Sequence, residues 1–346
     1  MAIPRRNIFI WLFYIVFHTG SALFNHGLLT KLNFPFPMFT AMFYMTVISI
    51  VVTALVGLDR LLYASKYFKI KPLKEHPLYI HWIGLNVALT SAFYFLALTS
   101  ADVATMYCIM AIEPLLGIML VNLIPVRFSM LHKYSHIALT ALIVGLVFLN
   151  TLVLALNPYI TNIGILYLVL FVASSSLAWV CISKMVMDDK MPIESVIMYS
   201  SIEAMGWLFG LAFIIDLRGM SNYYDTLSVG IAYLFLGSAI EVGKTLIVAY
   251  YNFMIPELER VPFIRQWVMF VGIGLSMAIY GVGYYPLNIV GMVLLLIFST
   301  VLDYRASYMN ASSISTENVT PKEDKEALLT SHTEVSFTIT DSETLQ

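Results

Sequence analysis

The sequence contains few charged residues and few cysteines for a chain of its length. Only 12% of the 346 residues are Asp, Glu, Lys or Arg, and 60% are hydrophobic, whereas about a quarter of a typical soluble domain is charged. A charge content this low argues against a soluble globular fold and indicates that lipid surrounds most of the chain. Cys108 and Cys181 both fall in apolar runs, which argues against a disulfide framework and favours buried thiols.

The sequence also lacks the common catalytic and nucleotide-binding motifs. It has no His/Glu cluster at metal-ligand spacing, no nucleophile elbow and no phosphate-binding glycine loop, and its histidines are scattered. These absences argue against a metal-dependent hydrolase, a serine hydrolase and an ATP-driven pump. We therefore expect no enzymatic activity, no cofactor, no metal and no nucleic-acid partner.

Long apolar runs are what the sequence does contain. A bilayer core needs about 20 mainly apolar residues per helix, and this rule predicts an all-α integral membrane protein with ten spans. A retained first helix, with no small-residue cleavage site after it, follows the basic residues at the start. The predicted spans cover residues 7–29, 38–58, 78–98, 103–124, 135–156, 163–183, 195–216, 227–251, 264–283 and 286–304.

The distribution of basic residues predicts the orientation of these spans. Fifteen of the 19 lysine and arginine residues fall in the connections on one side, and only Lys31 and Arg218 fall on the other. By the positive-inside rule, both termini face the cytosol. Each half, 1–156 and 157–305, holds five spans, an odd number, so the halves enter the membrane from opposite sides. An inverted repeat is the expected architecture.

The composition changes near residue 306, where Ser, Thr and Glu become frequent. We predict that residues 306–346 form a disordered cytosolic tail. Asn310 and Asn318 begin glycosylation sequons that are expected to stay unmodified on the cytosolic side. The segment "DKEALL", Asp324 to Leu329, has the acidic-dileucine spacing that clathrin adaptors bind, although short patterns of this kind also arise by chance.

A few polar side chains lie within the predicted spans, where they are energetically costly and normally face a bundle interior or a wet cavity. Glu241 and Lys244 are three residues apart, so they share a helix face and can neutralise each other. A structural ion pair that locks helices and a substrate-binding pair are both open interpretations. Glu203 follows Tyr199 and two serines, and either packing or substrate contact fits that setting.

Glu113 and Pro114 stand side by side within an apolar run. Proline leaves a backbone carbonyl one turn earlier without its helical partner. In a membrane this is tolerated where neighbouring groups satisfy the backbone or where a water-filled cavity is present. Glu113 is therefore either a hinge residue bonded to a neighbouring helix or a ligand of water, a cation or a substrate. Both interpretations predict a polar cavity inside the bundle.

Two segments of the first half carry motifs of one family of carriers. In "FNHGLLTKLNFPFPMFTAM" (24–42), Asn25, Pro35 and Pro37 precede the second span. The segment "NVALTSAFYFLALTSADVATMYCIMAIEPLLGIML" (86–120) runs from an asparagine through a serine-containing turn to Ala-x-x-Pro.

Two segments of the second half extend the same pattern. They are "SKMVMDDKMPIESVIMYSS" (183–201), with Lys184 and Tyr199, and "YGVGYYPLNIVGMVLLLIFSTVLDYRAS" (280–307). In this order, on the predicted spans, the four segments resemble the triose-phosphate and nucleotide-sugar translocators of the drug/metabolite transporter superfamily. The resemblance extends over residues 7–307 and excludes the tail.

The resemblance implies ten helices in two inverted halves, a central cavity and exchange of an anionic solute by alternating access. Members of this family usually bring lysines from the fourth and ninth spans to substrate phosphates. Met110 occupies the first of these positions here, and Arg265 is the candidate at the second. The planar guanidinium of arginine suits phosphate, but an arginine at the bilayer edge can also extend towards the head groups.

The substrate site implied by these observations lies near the middle of the membrane. Its candidate residues are polar or aromatic groups, with Lys244 or Arg265 as the phosphate partner: Asn25, Asn86, Tyr94, Glu113, Tyr199, Glu203, Lys244 and Arg265.

Three functions fit the sequence. The first is antiport of a nucleotide sugar, a phosphorylated anion, against a nucleoside monophosphate in the Golgi or endoplasmic reticulum. The second is transport of another metabolite, such as a sugar phosphate, an amine or an amino acid, in endolysosomes. Methionine at position 110, the intramembrane carboxylates and the dileucine segment favour this second function. The third is a receptor or scaffold that has kept the bundle without turnover.

Replacing Leu328 and Leu329 by alanine tests the trafficking interpretation. If clathrin adaptors bind the acidic-dileucine segment, the variant should redistribute from endolysosomes towards the cell surface or the Golgi. Fluorescence microscopy of tagged wild-type and variant proteins measures this. A Golgi pattern that is identical in both proteins would argue against both the adaptor and the endolysosomal function.

Overall fold

We analysed a computed structural model of the chain that describes residues 5–32, 34–63, 70, 77–113, 116–117, 119–120, 135–154, 156–187, 189–216, 219, 224–249 and 263–317. The structure is 88% helical, and its described residues include no strand. The helices are α1 (Arg5–Thr30), α2 (Pro37–Tyr63), α3 (Pro77–Ser100), α4 (Val103–Met110), α5 (Ser135–Phe148, continued by a π-helical segment, Leu149–Leu154), α6 (Asn162–Met187), α7 (Ile193–Ile215), α8 (Tyr224–Ala249), α9 (Phe263–Tyr280) and α10 (Pro286–Glu317).

The length and composition of the helices are consistent with an all-α membrane protein. Within the described part of the chain, five helices are apolar and long enough to cross a membrane: Pro37–Tyr63, Leu78–Ser100, Asn162–Val186, Ile193–Ile215 and Val229–Val248. Three further apolar helices are shorter: Leu139–Leu154, Trp267–Tyr280 and Pro286–Val301. The predicted all-α fold is therefore confirmed in its class.

Proline and aspartate define where several helices begin. Pro37, Pro77 and Pro286 are the first residues of α2, α3 and α10. At this position a backbone N–H would have no partner within the helix, so proline loses nothing by lacking one, and its fixed φ is already helical. Asp102 caps α4 by accepting hydrogen bonds from the backbone N–H of Thr105 (2.9 Å) and from its hydroxyl (2.6 Å). These signals are local in the sequence, and the starts of α2, α3 and α10 that the apolar runs predict lie close to the observed ones.

Three short connections meet at one end of the bundle. Ala101, between α3 and α4, forms an isolated bridge with Ile160 in the α5–α6 connection. The Tyr159 hydroxyl donates to the Gly283 carbonyl (3.1 Å) in the α9–α10 connection. The Tyr284 hydroxyl donates to Asp102, and burial raises the pKa of this phenol. Hydrogen bonds between segments that are distant in sequence therefore hold this end together.

The α1–α2 and α7–α8 connections are joined by Asp216. This residue follows α7, is 5% exposed, and accepts a hydrogen bond from the backbone N–H of Phe39 (2.7 Å) in the first turn of α2. Burial raises the pKa of the Asp216 carboxyl, and the backbone hydrogen bonds from Phe39 and Met38 oppose that shift. A carboxylate near the first turn of a helix also interacts favourably with the helix dipole.

The π-helical segment at the end of α5 is stabilised by α10. In a π-helix the backbone hydrogen bonds span five residues, where those of an α-helix span four, so the partners of the backbone carbonyls change. The amide of Asn288, a fully buried residue, donates to the carbonyls of Leu152 (3.1 Å) and Val153 (3.0 Å). Close approach of the two helices depends on Gly291, where a Cβ would lie 2.8 Å from the Leu152 carbonyl carbon.

Helix α10 extends beyond the predicted end of the bundle. It continues to Glu317, whereas the composition predicts a disordered tail from residue 306. No proline interrupts this continuation, because none occurs between Pro286 and Pro321. The dileucine segment and Asn318 lie outside the described residues.

We expect opposite effects from alanine at two glycines of α9. A Cβ at Gly272 would lie 2.2 Å from the ring of the fully buried Tyr107, whereas nothing lies within 4 Å of a Cβ at Gly274. Gly272→Ala should lower the free energy of unfolding by about 1–3 kcal/mol. Gly274→Ala should be neutral or stabilising by up to about 1 kcal/mol. Thermal unfolding of the purified protein in detergent measures both, and equal effects would contradict the packing.

Candidate functional site

A cavity of about 500 Å³ lies between the helices. Side chains from α1, α2, α3, α4, α6, α7, α8 and α9 line it, so both halves of the chain contribute. Its volume falls within the range of about 300–1,000 Å³ that is typical of small-molecule sites. The helices that form its wall include the five that are long enough to cross a membrane, which makes it the candidate site.

The main polar feature of the wall is an ion pair between two residues of α8. Lys244 Nζ lies 2.6 Å from Glu241 Oε2, and both side chains line the cavity. The lysine side chain is 22% exposed and the glutamate 8%. The spacing of three residues brings the two charges onto one face of the helix. The more exposed partner, Lys244, is therefore the one better placed to meet a solute.

Residues of α1 also bond to the glutamate, at the carboxylate oxygen that does not face the lysine. The Ser21 hydroxyl donates to Glu241 Oε1, and the Asn25 amide donates to the same oxygen (2.9 Å). Ser21 Oγ also accepts a hydrogen bond from Lys244 Nζ (3.2 Å). Ser21 and Asn25 are four residues apart on one face of α1. These bonds stabilise the charged carboxylate in a low-dielectric surrounding.

Two tyrosines complete this polar cluster. The Tyr44 hydroxyl on α2 donates to Asn25 Oδ1 (3.0 Å). Lys244 Nζ lies 5.2 Å from the centroid of the Tyr94 ring on α3, within the range of a cation–π interaction. Tyr44 and Tyr94 both line the cavity. We call Ser21, Asn25, Tyr44, Tyr94, Glu241 and Lys244 the charged cluster.

Glu113 lies on another part of the wall, where α4 is interrupted. The helix ends at Met110, and Glu113 Oε1 accepts a hydrogen bond from the Ser175 hydroxyl of α6 (2.6 Å). The Ser176 hydroxyl donates to the Glu113 carbonyl (3.2 Å), and Ser299 on α10 donates to the Ala111 carbonyl (3.2 Å). Serines of neighbouring helices thus satisfy carbonyls around the break. Pro114 lies outside the described residues.

Aromatic rings form much of the remaining wall. Tyr14 and His18 of α1 stack with their ring centroids 5.8 Å apart, and His18 lies 6.4 Å from the ring of Tyr107 on α4. Phe171 and Trp179 of α6 line the cavity as well. Such a surface can bind the planar or apolar part of a solute, while the charged cluster binds its polar part.

The structure brings Tyr94, Glu113 and Lys244 together on the cavity wall, with Asn25 directly behind Glu241. Asn86 is buried within α3, where its amide donates to the Trp82 carbonyl of the same helix (2.8 Å). It is not among the residues that line the cavity.

The other predicted site residues lie elsewhere. Glu203 is 41% exposed and forms an ion pair with His81 (3.1 Å). Tyr199 packs against a separate small core that contains Ile80 and Met185. Arg265 is in α9, and its side chain is outside the described residues. Met110 is buried and lines the cavity without adding positive charge.

Several site residues were not among the sequence candidates. Ser21 could have been found from its position four residues before Asn25 on the same helix face. The run Ser174–Ser175–Ser176 in an otherwise apolar helix was also a signal, because hydroxyls in a span often bond to a neighbouring helix. No local pattern indicates that Tyr44, Tyr107 or Trp179 faces the cavity, since aromatic residues are frequent throughout the chain.

The chemistry available at this site is binding through charge, hydrogen bonds and ring contacts. The described part of the lining contains one lysine and two glutamates, with His18 as a further titratable group. In the described residues, no group of three or more His, Cys, Asp or Glu side chains could hold a metal ion. Comparison with known proteins found no protein-family model that matches the chain and no curated protein that matches it.

Two buried asparagines, Asn25 and Asn86, should differ in their importance for stability. Asn25→Ala removes a donor to Glu241 and an acceptor for Tyr44 and should cost about 1–3 kcal/mol, because buried polar groups lose their partners. Asn86→Ala removes a bond to a carbonyl of its own helix and should cost less than about 1 kcal/mol. Thermal unfolding in detergent measures both, and a larger loss for Asn86→Ala would contradict the assigned contacts.

Proposed function

We propose that this chain is a secondary-active solute carrier whose substrate binds in the central cavity. The observation that carries the proposal is the cavity itself, which places a buried ion pair and aromatic rings from both halves around one space. Ionisable groups at bilayer depth are costly and mark solute or ion pathways in membrane proteins. A site at the interface of two halves is also typical of carriers that work by alternating access.

We also propose ten spans in two inverted halves. If the two halves are related, each helix of the first half corresponds to the helix five places later, so that α1 corresponds to α6 and α5 to α10. A contact between two helices should then recur between the two corresponding helices. The helix contacts support this relation: α1 contacts α8 as α6 contacts α3, α2 contacts α8 as α7 contacts α3, and α1 contacts α9 as α6 contacts α4. The contacts α2–α7, α4–α9 and α5–α10 each join two corresponding helices, so each of them is its own counterpart. Contacts of this kind are expected for two related halves that pack around one axis.

Two substrate classes remain proposals. The resemblance to nucleotide-sugar translocators favours exchange of a nucleotide sugar for a nucleoside monophosphate. The described cavity wall favours a different metabolite, because Glu241 already neutralises Lys244, Glu113 adds a carboxylate, and Met110 replaces the family's lysine. A solute with two phosphates would find little positive charge there. We therefore favour a metabolite without a large net negative charge, such as an amine or an amino acid.

The location of the carrier follows from sequence features alone. The excess of basic residues in the connections on the side of the termini supports cytosolic termini. The acidic-dileucine spacing supports an endolysosomal membrane, and the resemblance supports the Golgi or endoplasmic reticulum. Membrane lipids surround the helices in either case, and a clathrin adaptor is the proposed partner of Asp324 to Leu329.

A ligand-stabilisation panel tests the carrier function on the purified full-length protein. Uridine diphosphate glucose, uridine monophosphate, glucose 6-phosphate, tyramine and tyrosine represent the candidate classes. A solute that binds only the folded state, supplied at a concentration of about 100 times its Kd, should raise the free energy of unfolding by about 2.7 kcal/mol. We expect at least one solute to stabilise the protein and to be taken up by proteoliposomes.

Uptake separates a carrier from a receptor or scaffold that has kept the same cavity. The same radiolabelled solutes are offered to proteoliposomes that are empty or preloaded with the unlabelled compound. Protein-free liposomes provide the background. Stabilisation without uptake would favour the receptor, and neither stabilisation nor uptake by cooperatively unfolding protein would reject the proposal.

A further inference from the structure

The Glu241–Lys244 pair restricts the charge of any solute that enters the cavity. The two opposite charges are 2.6 Å apart in a wall made largely of apolar and aromatic side chains. An isolated charge in such a surrounding is far more costly than a matched pair. With no solute bound, the pair leaves this part of the wall neutral. A solute that adds one unmatched charge would remove that balance.

A solute that carries both charges would preserve the balance. Its anionic group could take the place of Glu241 beside Lys244, while its cationic group pairs with Glu241. One internal ion pair would be replaced by two ion pairs with the solute, and the net charge would be the same in the empty and the occupied cavity. Neither a monoanion nor a monocation can make this replacement.

If Lys244 turns away, Glu241 Oε1 keeps its partners on α1, and Oε2, the oxygen that pairs with Lys244, becomes available to the cationic group of the solute. Ser21 and the Asn25 amide (2.9 Å) bond to the Glu241 carboxylate, and both come from α1 rather than from α8. Lys244 is the more exposed partner, at 22% against 8%, and its ammonium lies over the Tyr94 ring on the cavity wall. The lysine can therefore turn to a solute while the glutamate keeps its position.

We infer that the cavity selects a zwitterionic solute, whose anionic group binds Lys244 and whose cationic group binds Glu241. This inference rests on the proposed carrier function and specifies the substrate class of the same site. The other wall groups are consistent with it, since the Glu113 carboxylate lies on another part of the wall, where Ser175 bonds to it (2.6 Å), and the rings of Tyr14, Tyr107 and Trp179 suit an apolar or planar solute body.

A series of four probes of similar shape tests the inference. Tyrosine is the zwitterion, tyramine the cation, 3-(4-hydroxyphenyl)propionate the anion and 4-ethylphenol the neutral compound. Their affinities for the purified full-length protein are measured by thermal-shift titration and by inhibition of labelled tyrosine uptake. Wild-type protein should bind tyrosine about tenfold more tightly than each other probe, a difference of about 1.4 kcal/mol.

Removing one charge should invert the preference. Glu241→Gln leaves Lys244 as the charge of the pair and should favour the propionate over tyrosine by about tenfold. Lys244→Gln leaves Glu241 and should favour tyramine by a similar factor. Lys184→Gln and Glu194→Gln are the matched controls, because neither side chain lines the cavity, and both should keep the wild-type order of affinities.

The double variant Glu241→Gln/Lys244→Gln covers the case in which a single variant does not fold. It leaves no unmatched charge, and it should lose the preference for tyrosine over 4-ethylphenol. A tyrosine preference that survives in the double variant would overturn the inference, as would an unchanged order of probes in the two single variants. Binding of uridine monophosphate or glucose 6-phosphate without binding of tyrosine would also overturn it and leave the carrier function standing. Failure of every solute to bind would reject both.

Discussion

The arrangement of the cavity depends on keeping charge balanced inside an apolar bundle. Glu241 and Lys244 lie on one face of α8, and an unmatched charge at their depth would be costly. Their remaining hydrogen-bonding capacity is directed at α1, where Ser21 and Asn25 bond to the carboxylate. Tyr44 of α2 then bonds to Asn25. One ion pair thus accounts for the positions of polar groups on three helices and for the character of the site between them.

Irregular backbone in the bundle follows the same rule that polar groups in an apolar surrounding need partners within the protein. The break after α4 leaves carbonyls that Ser176 and Ser299 satisfy, and the π-helical end of α5 receives two hydrogen bonds from Asn288. The serines come from α6 and α10, so each irregularity is stabilised by another helix.

The sequence predicted where the long apolar helices begin, but it predicted only some of the residues that line the cavity. Apolar runs are a local signal, so the five described helices that are long enough to cross a membrane begin close to the predicted starts. The helical continuation to Glu317 was missed because composition indicates disorder without excluding a helix that has already begun. Of the site, Glu113 and Lys244 were indicated by the cost of burying a charge. Glu203 has the same local signature, yet it pairs with His81 away from the cavity.

By itself, the sequence determined that this protein is helical and apolar, and that Glu241 and Lys244 meet. Each of these properties depends on neighbours within a few residues along the chain. Only the tertiary structure decided which polar groups share the cavity, that Ser21 and Tyr44 belong to the charged cluster, and that Asn86 bonds within its own helix. The physical reason is that spans are apolar on most sides, so hydropathy does not mark the inward face. That face is set by packing between helices that are distant in the chain.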